Sequence, residues 1–251
     1  RVRRFHSPHD AVPRTHLLSN GRYAVMITSA GSGYSCWRDL AITRWREDVT
    51  CDSWGAYVCL RDAQTGEVWS AGYQPSGVEP DSYEVRFSED RAEIHRQDGT
   101  IATILEVTVS PEDDAEVRRV SLSNLGTRVR DIDLTSYAEL VLAPHAADFA
   151  HPAFSKLFVH TDVDEHTAVI MFDDIFYAAY PRRHTGPARG ERLQERYAEA
   201  LPYRRKYEDI HHRKILLRID NRIDKMNRIL YLPERPRQVL QGLFFFSVTD
   251  D

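Results

Sequence analysis

The fold is indicated most directly by the stretch AEIHRQDGTIATILEVTV, residues Ala92 to Val109. Apolar and polar residues alternate on both sides of Asp98-Gly99, as they do in strands with one buried face. An Asp-Gly pair between two such runs is typical of a tight hairpin turn of type I′, which needs positive φ at both central residues. The stretch therefore predicts two antiparallel strands, Ala92 to Gln97 and Thr100 to Val109.

Segments on both sides of this hairpin have the same character. They are short, rich in β-branched and aromatic residues, and bounded by turn residues such as Asn124 to Thr127. The further predicted strands are Tyr23 to Thr28, Trp54 to Arg61, Glu67 to Ser70, Ser82 to Phe87, Glu116 to Ser123, Asp131 to Leu142 and Phe154 to His160. Many strands with frequent turn signals predict a mainly β protein built as an antiparallel sandwich.

The residues after about Asp164 have a different composition. Val169 to Tyr180 fits either a strand or a buried helix, and from Arg189 to Ile229 the apolar residues recur at helical spacing. One predicted helical face holds Leu193, Tyr197 and Leu201, and another holds Ile215, Ile219, Ile223, Met226 and Leu230. Arg182 to Arg237 has 16 Lys and Arg against 8 Asp and Glu, whereas the remaining residues have 17 against 30. We therefore predict a sandwich over residues 1–165 and a basic, partly helical tail over residues 166–251.

Composition excludes several classes of protein. A net charge of −5 provides no electrostatic basis for binding nucleic acid. No apolar run approaches the roughly 18 residues of a membrane span. Three cysteines, an odd number, do not suggest a disulfide framework, so we expect a reducing cytoplasm. The chain begins at Arg1 without a leader sequence, and we expect it to come from within a longer protein.

Motifs that could carry chemistry are incomplete. The Gly31 to Gly33 loop lacks the third glycine of a dinucleotide fingerprint, because Cys36 stands at that position. Cys51 and Cys59 have no partner at the spacing of metal ligands. Asp113-Asp114 are adjacent, whereas glycoside cleavage needs two acidic groups that face each other across the substrate. We therefore predict no catalytic residue and no metal ligand in this chain.

The most unusual stretch is GYSCWRDLAITRWR, residues Gly33 to Arg46, with two tryptophans, three arginines and one aspartate. Aromatic rings stack on the apolar face of a sugar, and Arg and Asp hydrogen-bond to its hydroxyl groups, so the composition suits a glycan or an anion such as phosphate. It also suits a long loop locked by Arg–Asp pairs, with Trp37 and Trp45 in the core. The residues alone leave both interpretations open.

Six segments of the chain together carry a resemblance to one known family. They are His16 to Tyr23, Gly31 to Asp48 (GSGYSCWRDLAITRWRED), Trp54 to Asp62, Gly66 to Pro75, Glu106 to Asn124 and Leu134 to Pro144. These segments resemble glycoside hydrolase family 94, formerly glycosyltransferase family 36. They are similar to the phosphorylase-like parts of cyclic β-1,2-glucan synthases and, more distantly, to cellobiose and chitobiose phosphorylases. The resemblance covers about Arg3 to Thr161, and we find none from about Asp162 onward.

The resemblance implies an antiparallel super-sandwich followed by an (α/α)₆ barrel. That barrel would hold the general-acid carboxylate and most sugar contacts, and inorganic phosphate would attack the anomeric carbon there with inversion. No cofactor is implied beyond phosphate as the co-substrate of the whole enzyme. The sandwich would make dimer contacts and cover the active-site cleft. Cys36 stands where other members carry a larger or basic residue. The predicted substrate-facing loop comprises Tyr34, Ser35, Trp37, Arg38, Asp39, Arg44, Trp45 and Arg46.

Three hypotheses for function follow. The first is a non-catalytic, carbohydrate-facing sandwich of a β-glucan phosphorylase or cyclic β-1,2-glucan synthase. Its partners would be a β-glucan oligosaccharide, the catalytic barrel and a second copy in a homodimer, and its parent protein would be cytoplasmic and attached to the inner membrane. The second is a stand-alone glycan-binding module. The third is an interaction protein whose basic tail binds an acidic partner or an anionic lipid surface.

Overall fold

A computed structural model describes residues 2–12, 14–46, 54–153, 159–164, 169–174, 213–221, 229–232 and 239–250 of the protein. Every strand pair in these ranges is antiparallel, which confirms the prediction of a mainly β super-sandwich. The elements in chain order are β1 (Arg3–Phe5), β2 (Thr15–Ser19), β3 (Tyr23–Thr28), β4 (Gly33–Trp37), β5 (Leu40–Thr43), β6 (Ala56–Asp62), β7 (Val68–Ser70), β8 (Ser82–Phe87), β9 (Ala92–Asp98), β10 (Ile101–Val109), β11 (Ala115–Asn124), β12 (Arg130–Ala138), β13 (Leu140–Pro144), α1 (His145–Ala150), β14 (Val159–Asp164), β15 (Val169–Asp174), β16 (Arg213–Asn221), β17 (Ile229–Leu232) and β18 (Val239–Asp250).

These strands form three sheets. The large sheet has the order β1-β8-β9-β10-β11-β18-β16-β15-β14, the five-stranded sheet β13-β5-β4-β3-β2, and the four-stranded sheet β17-β12-β6-β7. One hydrophobic cluster takes buried side chains from all three sheets, so the two smaller sheets pack together against the large one. Its members include Val25 and Trp37 from the five-stranded sheet, Leu60 and Ile132 from the four-stranded sheet, and Ile94 and Leu105 from the large sheet. In the described ranges no helix is both long enough and apolar enough to cross a membrane.

The hairpin predicted from Asp98-Gly99 is present as β9 and β10. The register pairs Asp98 with Ile101, so the two loop residues are Gly99 and Thr100, one position later than predicted. Of these two, Gly99 alone has a positive φ, 56°. Glycine at the first central position is the pattern of a type II′ turn rather than the predicted type I′ turn. The alternation is as expected, with Ile94 and Leu105 buried in the core.

The C-terminal residues contribute strands where a helix was predicted. Ile215 and Ile219 lie in β16, and Leu230 lies in β17, so the helical pattern is wrong over these elements. The run KILLRI also fits a period of two, and pairing with the long strand β18 decides between the two periods. Leu193, Tyr197, Leu201, Ile223 and Met226 lie outside the described residues. The division at residue 165 stays a prediction, although β18, from beyond it, pairs with β11.

The strands β1 and β2 are edge strands of the large and the five-stranded sheet. His16 of β2 connects these two edges. Nη2 of Arg3 lies 3.0 Å from Nδ1 of His16, and Nε2 of His16 lies 2.6 Å from the carbonyl oxygen of Ser88. The His16 ring also stacks on Phe87, with the ring centroids 4.9 Å apart. Because a guanidinium can only donate, Nδ1 of His16 accepts and Nε2 donates to Ser88, which requires a neutral imidazole.

The contacts of His16 with Arg3 and Ser88 make the free energy of unfolding depend on pH. Burial lowers the pKa of His16, the bond to Ser88 opposes that effect, and the charge of Arg3 reinforces it. The unfolded chain takes up the proton near the ordinary value of about 6.5. The free energy of unfolding is therefore unaffected above that pH and falls as the pH drops from it toward the lower pKa of the folded state.

We expect His16→Gln to show a shallower loss of stability than the wild type between pH 7.5 and pH 5. Urea unfolding followed by circular dichroism at several pH values measures this difference. The other histidines are common to both proteins, so their titration cancels in the comparison. Parallel curves for the two proteins would contradict the assignment.

A second prediction concerns Gly33, which begins β4 with φ 153°. A Cβ atom there would lie 1.9 Å from the carbonyl oxygen of Met26 on the neighbouring strand. We expect Gly33→Ala to lower the free energy of unfolding by about 3 kcal/mol or more, through overlap and backbone strain together. Gly21→Ala is the control, because Gly21 has φ 91° with nothing within 4 Å of its Cβ position. Its expected cost is about 1 kcal/mol. Equal losses in urea unfolding would show that the overlap at Gly33 is absent.

Candidate functional site

The stretch Gly33 to Arg46, predicted to be a loop, is mostly a β-hairpin. β4 and β5 pair through Trp37 and Leu40, and Arg38, with φ 53°, lies in the turn between them. The loop prediction was wrong here because alternation along β4 places Ser35 and Trp37 in the interior and Tyr34 on the opposite face. The predicted site residues therefore do not form one surface. Whether any of them faces a substrate stays a prediction.

Ser35 belongs to a buried polar network around Glu116 of β11. The Ser35 hydroxyl donates to Oε2 of Glu116, and the Tyr23 hydroxyl donates to the same oxygen at 3.2 Å. Nε of Arg118 donates to Oε1 at 2.7 Å, and its Nη1 reaches the carbonyl oxygen of Ala56 at 2.8 Å. Burial, followed by the charge of Glu116, raises the pKa of Tyr23. This network is structural, so Ser35 is not available to a ligand.

Sequence reasoning missed Glu116 and Arg118, although a signal for them existed. Both lie on the face of β11 that continues as the buried residues Val120 and Leu122. Two charges on the apolar face of a strand indicate a buried ion pair, because an unpaired buried charge is very costly.

Trp37 is also held in the interior of the hairpin. Its Nε1 donates to Oδ2 of Asp114 at 2.5 Å, and Nε of Arg22 donates to Oδ1 of Asp114 at 2.7 Å. Burial raises the pKa of Asp114, but the bonds from Trp37 and Arg22 outweigh it, and the net shift is downward. The Arg38 guanidinium lies over the Trp37 ring, 4.4 Å from its centroid. Arg38 and Asp39 are exposed at the turn, whereas Asp114 is engaged in the bonds with Trp37 and Arg22.

Tyr34, on the outward face of the five-stranded sheet, packs against Trp45, which follows β5. Their ring centroids are 5.3 Å apart and their planes are tilted by 45°. Both side chains are half-buried, and burial raises the pKa of Tyr34. Arg46, also half-buried, places its guanidinium 5.6 Å from the ring centroid of Phe149, which is 68% exposed. We call Tyr34, Trp45, Arg46 and Phe149 the aromatic surface.

Arg44, the residue before Trp45, lies in a buried charge cluster. Its Nε and Nη2 donate to the two carboxylate oxygens of Asp148 in α1, at 3.0 and 2.6 Å, and its Nη1 donates to Glu139. Nη2 of Arg46 lies 2.8 Å from Oδ2 of Asp148. Burial acts to raise the pKa of Asp148, but the bonds from Arg44 and Arg46 hold it below its ordinary value. Sequence reasoning missed Asp148, Glu139 and Phe149, because no periodic pattern links α1 to the end of β5.

The structure thus divides the eight predicted residues into three groups. Ser35, Trp37 and Arg44 are buried and bonded internally, Arg38 and Asp39 are exposed at the hairpin turn, and Tyr34, Trp45 and Arg46 belong to the aromatic surface. The alternative interpretation, of tryptophans in the core and locking Arg–Asp pairs, therefore holds for Trp37 and Arg44. In the described part of the chain, no group of three or more His, Cys, Asp or Glu side chains could hold a metal ion.

The structural role of Ser35 has a direct test. Ser35→Ala removes one of the two hydroxyl donors to Oε2 of Glu116, and we expect it to lower the free energy of unfolding by about 1–3 kcal/mol. Ser82→Ala is the control, since Ser82 is an exposed residue of β8. Its expected effect is within about 0.5 kcal/mol. Urea unfolding measures both variants, and a Ser35 effect as small as that of Ser82 would contradict the assigned network.

Comparison with known proteins places the chain in a family. The model of the glycosyl hydrolase 94 supersandwich domain matches residues 1–186. The match runs past Thr161, so the prediction that the resemblance ends there was wrong. The end of β14 and the whole of β15 lie in this added stretch, and both strands belong to the large sheet.

Three relatives illustrate the range of similarity. The cyclic β-(1,2)-glucan synthase NdvB of Rhizobium meliloti (strain 1021) is 43% identical over 169 residues, which cover 67% of this chain and 6% of NdvB. The N,N′-diacetylchitobiose phosphorylase of Vibrio furnissii is 26% identical over 175 residues, 68% of this chain and 22% of that enzyme. The 3-O-β-D-glucopyranosyl-β-D-glucuronide phosphorylase of Paenibacillus borealis is 36% identical over 127 residues, 49% of this chain and 16% of that enzyme.

The matched region spans less than a quarter of each of these three relatives. Their similarity therefore concerns one part of a longer architecture. The family model, by contrast, covers well over half of this chain and agrees with the sheets of the structure. The chain belongs to glycosyl hydrolase family 94, and its residues 1–186 match the supersandwich domain of that family.

Proposed function

We propose that this chain is the non-catalytic, glucan-facing supersandwich of a β-glucan phosphorylase or of an enzyme of the cyclic β-1,2-glucan synthase type. The family supports this proposal, as do the names of the relatives, which describe a synthase of a β-linked glucan and phosphorylases of β-linked sugars. The chain itself would bind a β-linked gluco-oligosaccharide. The bond-breaking residues would lie in the remainder of the parent enzyme.

The aromatic surface is the observation that carries the proposal. Tyr34, on the outward face of a sheet, and Trp45 present two rings, 5.3 Å apart. Rings of this kind stack on the C–H face of a pyranose and bring a polar group, the Tyr hydroxyl or the Trp N–H, to the edge of the sugar. Arg46, the residue after Trp45, lies over Phe149, and its guanidinium would supply charged N–H donors for hydroxyl or phosphate oxygens.

The two outer faces of the sandwich differ in a way that favours this surface. The outward face of the large sheet carries ion pairs, among them Glu84 with Arg86 and Glu106 with Arg119. Charged side chains of this kind favour contact with water. The outward positions of β3 and β4 are instead uncharged, namely Ala24, Met26, Tyr34 and Cys36. An uncharged face with aromatic rings at its margin suits a sugar chain better than a charged lattice does.

Catalysis would follow the inverting course of the family in the parent enzyme. Inorganic phosphate would attack the anomeric carbon while a carboxylic acid protonates the leaving oxygen, and both groups would lie in the catalytic barrel. Among the described residues, Asp114 cannot supply such an acid, because its side chain is 14% exposed and bonded to Arg22 and Trp37. The barrel and a second copy of the chain would be the protein partners. The cytoplasm would be the compartment, with the parent protein attached to the inner membrane.

Titration with β-1,2-linked and β-1,4-linked gluco-oligosaccharides tests the binding function. We expect saturable changes in tryptophan fluorescence with at least one of these ligands and none with α-1,4-linked oligosaccharides. Trp45→Ala should weaken binding by about tenfold, the value of one good stacking contact. Tyr137→Ala is the matched control, since Tyr137 is 54% exposed on a different sheet, and it should bind as the wild type does.

Two results would contradict the proposal. Folded wild-type protein that gives no response to either β-linked ligand would refute glucan binding. Release of glucose 1-phosphate from these oligosaccharides by the isolated chain in the presence of phosphate would refute the non-catalytic role.

A further inference from the structure

One buried carboxylate, that of Asp148, binds both arginines next to Trp45 in the chain. Asp148 is 1% exposed, and it lies in α1, more than a hundred residues along the chain from Arg44 and Arg46. Its Oδ1 accepts from Nη2 of Arg44 at 2.6 Å. Its Oδ2 accepts from Nε of Arg44 at 3.0 Å and lies 2.8 Å from Nη2 of Arg46. Both oxygens are therefore used, and both arginines that flank Trp45 are bound to the same carboxylate.

The backbone around Trp45 is fixed from both sides by these arginines. Nη1 of Arg46 donates to the carbonyl oxygen of Trp45 at 3.2 Å, and Nη2 donates to the carbonyl oxygen of Asp148 at 3.2 Å. On the other side, the backbone N–H of Arg44 donates to the carbonyl oxygen of Glu139 at 2.9 Å. With its two neighbours held, the backbone from which the Trp45 ring contacts Tyr34 is fixed in position.

Stability alone does not explain the cluster of Arg44, Arg46 and Asp148. Arg44 and Asp148 are both buried, and a buried ion pair often contributes no more than apolar residues of the same volume would. What such a pair does supply is a defined arrangement of its members. A ligand-binding ring that is already held in its bound orientation loses less conformational entropy on binding.

We infer that Asp148 is a positioning residue of the glucan-binding surface, which sets Trp45 and Arg46 in the orientation that receives the sugar without touching the sugar itself. The inference rests on the proposed function for the role of the surface. The arrangement of Trp45, however, does not depend on a ligand and is tested without one.

The test compares Asp148→Asn with Asp98→Asn in the full chain. Asp98 is the matched control, since it pairs with the buried Arg96 through two bonds of 2.8 and 2.5 Å on a different sheet. Protein labelled with 5-fluorotryptophan contains four fluorine signals, one for each tryptophan, and Trp45→Phe assigns that of Trp45. The first readout is the ¹⁹F signal of Trp45 without ligand. The second is the affinity for a β-1,2-linked gluco-oligosaccharide.

We expect Asp148→Asn to shift the Trp45 signal and to weaken glucan binding by about tenfold, as the loss of a charged hydrogen-bond partner does. Asp98→Asn should lower stability while leaving the Trp45 signal and the affinity unchanged. An unchanged Trp45 signal in Asp148→Asn, or equal loss of affinity in both variants, would overturn the inference.

A further variant covers the case in which Asp148→Asn does not fold. Arg46→Met leaves the buried pair of Arg44 and Asp148 intact and removes only the second guanidinium, and it should shift the same ¹⁹F signal. An unchanged signal there overturns the inference as well. Absence of glucan binding by the wild type, together with a Trp45 signal that does respond to these substitutions, would refute the proposed function and leave the positioning of Trp45 established.

Discussion

The carboxylate of Glu116 lies where the three sheets meet. It projects from β11 of the large sheet and accepts hydroxyl hydrogen bonds from Tyr23 and Ser35 of the five-stranded sheet. Its ion-pair partner, Arg118, donates to the carbonyl oxygen of Ala56 at the start of β6, in the four-stranded sheet. Hydrogen bonds of this kind are confined to a narrow range of distances and angles, whereas apolar contacts are not directional. The relative placement of the two layers therefore depends on this network.

This constraint determines how the hairpin of β4 and β5 can be used. With Ser35 and Trp37 committed to Glu116 and Asp114, β4 can offer only Tyr34 and Cys36 on its outward face. The second strand of the hairpin, β5, leads into Arg44, which is bound by the Asp148 carboxylate. The same hairpin thus anchors the interior through one set of side chains and presents the aromatic surface through the other. The alternation of a strand makes this division possible, because adjacent residues point to opposite faces.

Glu116 and Asp148 show two uses of a buried carboxylate in one domain. Glu116 joins layers, and all of its partners lie in the interior. Asp148 joins a short helix to the end of a strand, and one of its partners, Arg46, extends to the protein surface. A buried charge needs complete pairing in both cases, since an unsatisfied one would be far more costly than an apolar side chain. The two carboxylates differ in their arginine partners, because Arg118 bonds to the interior carbonyl of Ala56 whereas Arg46 extends to the protein surface.

The sequence alone determined the parts of this structure that depend on neighbours a few residues apart. Alternation placed β3 and β8 at the bounds that the structure has, and Asp98-Gly99 identified the hairpin of β9 and β10, because a strand and its turn are local patterns. The surroundings of residues such as Trp37, Arg44 and Ile215 were decided by the tertiary structure. Their partners are Asp114, Asp148 and β18, and the chain brings them together only when sheets assemble. A pattern with a period of two or of 3.6 contains no information about contacts between segments that are distant in the sequence. The aromatic and basic composition of Gly33 to Arg46 could be recognised from the sequence. Which of these side chains lie at the surface, and the pairing of Arg44 and Arg46 with Asp148, were decided by the fold.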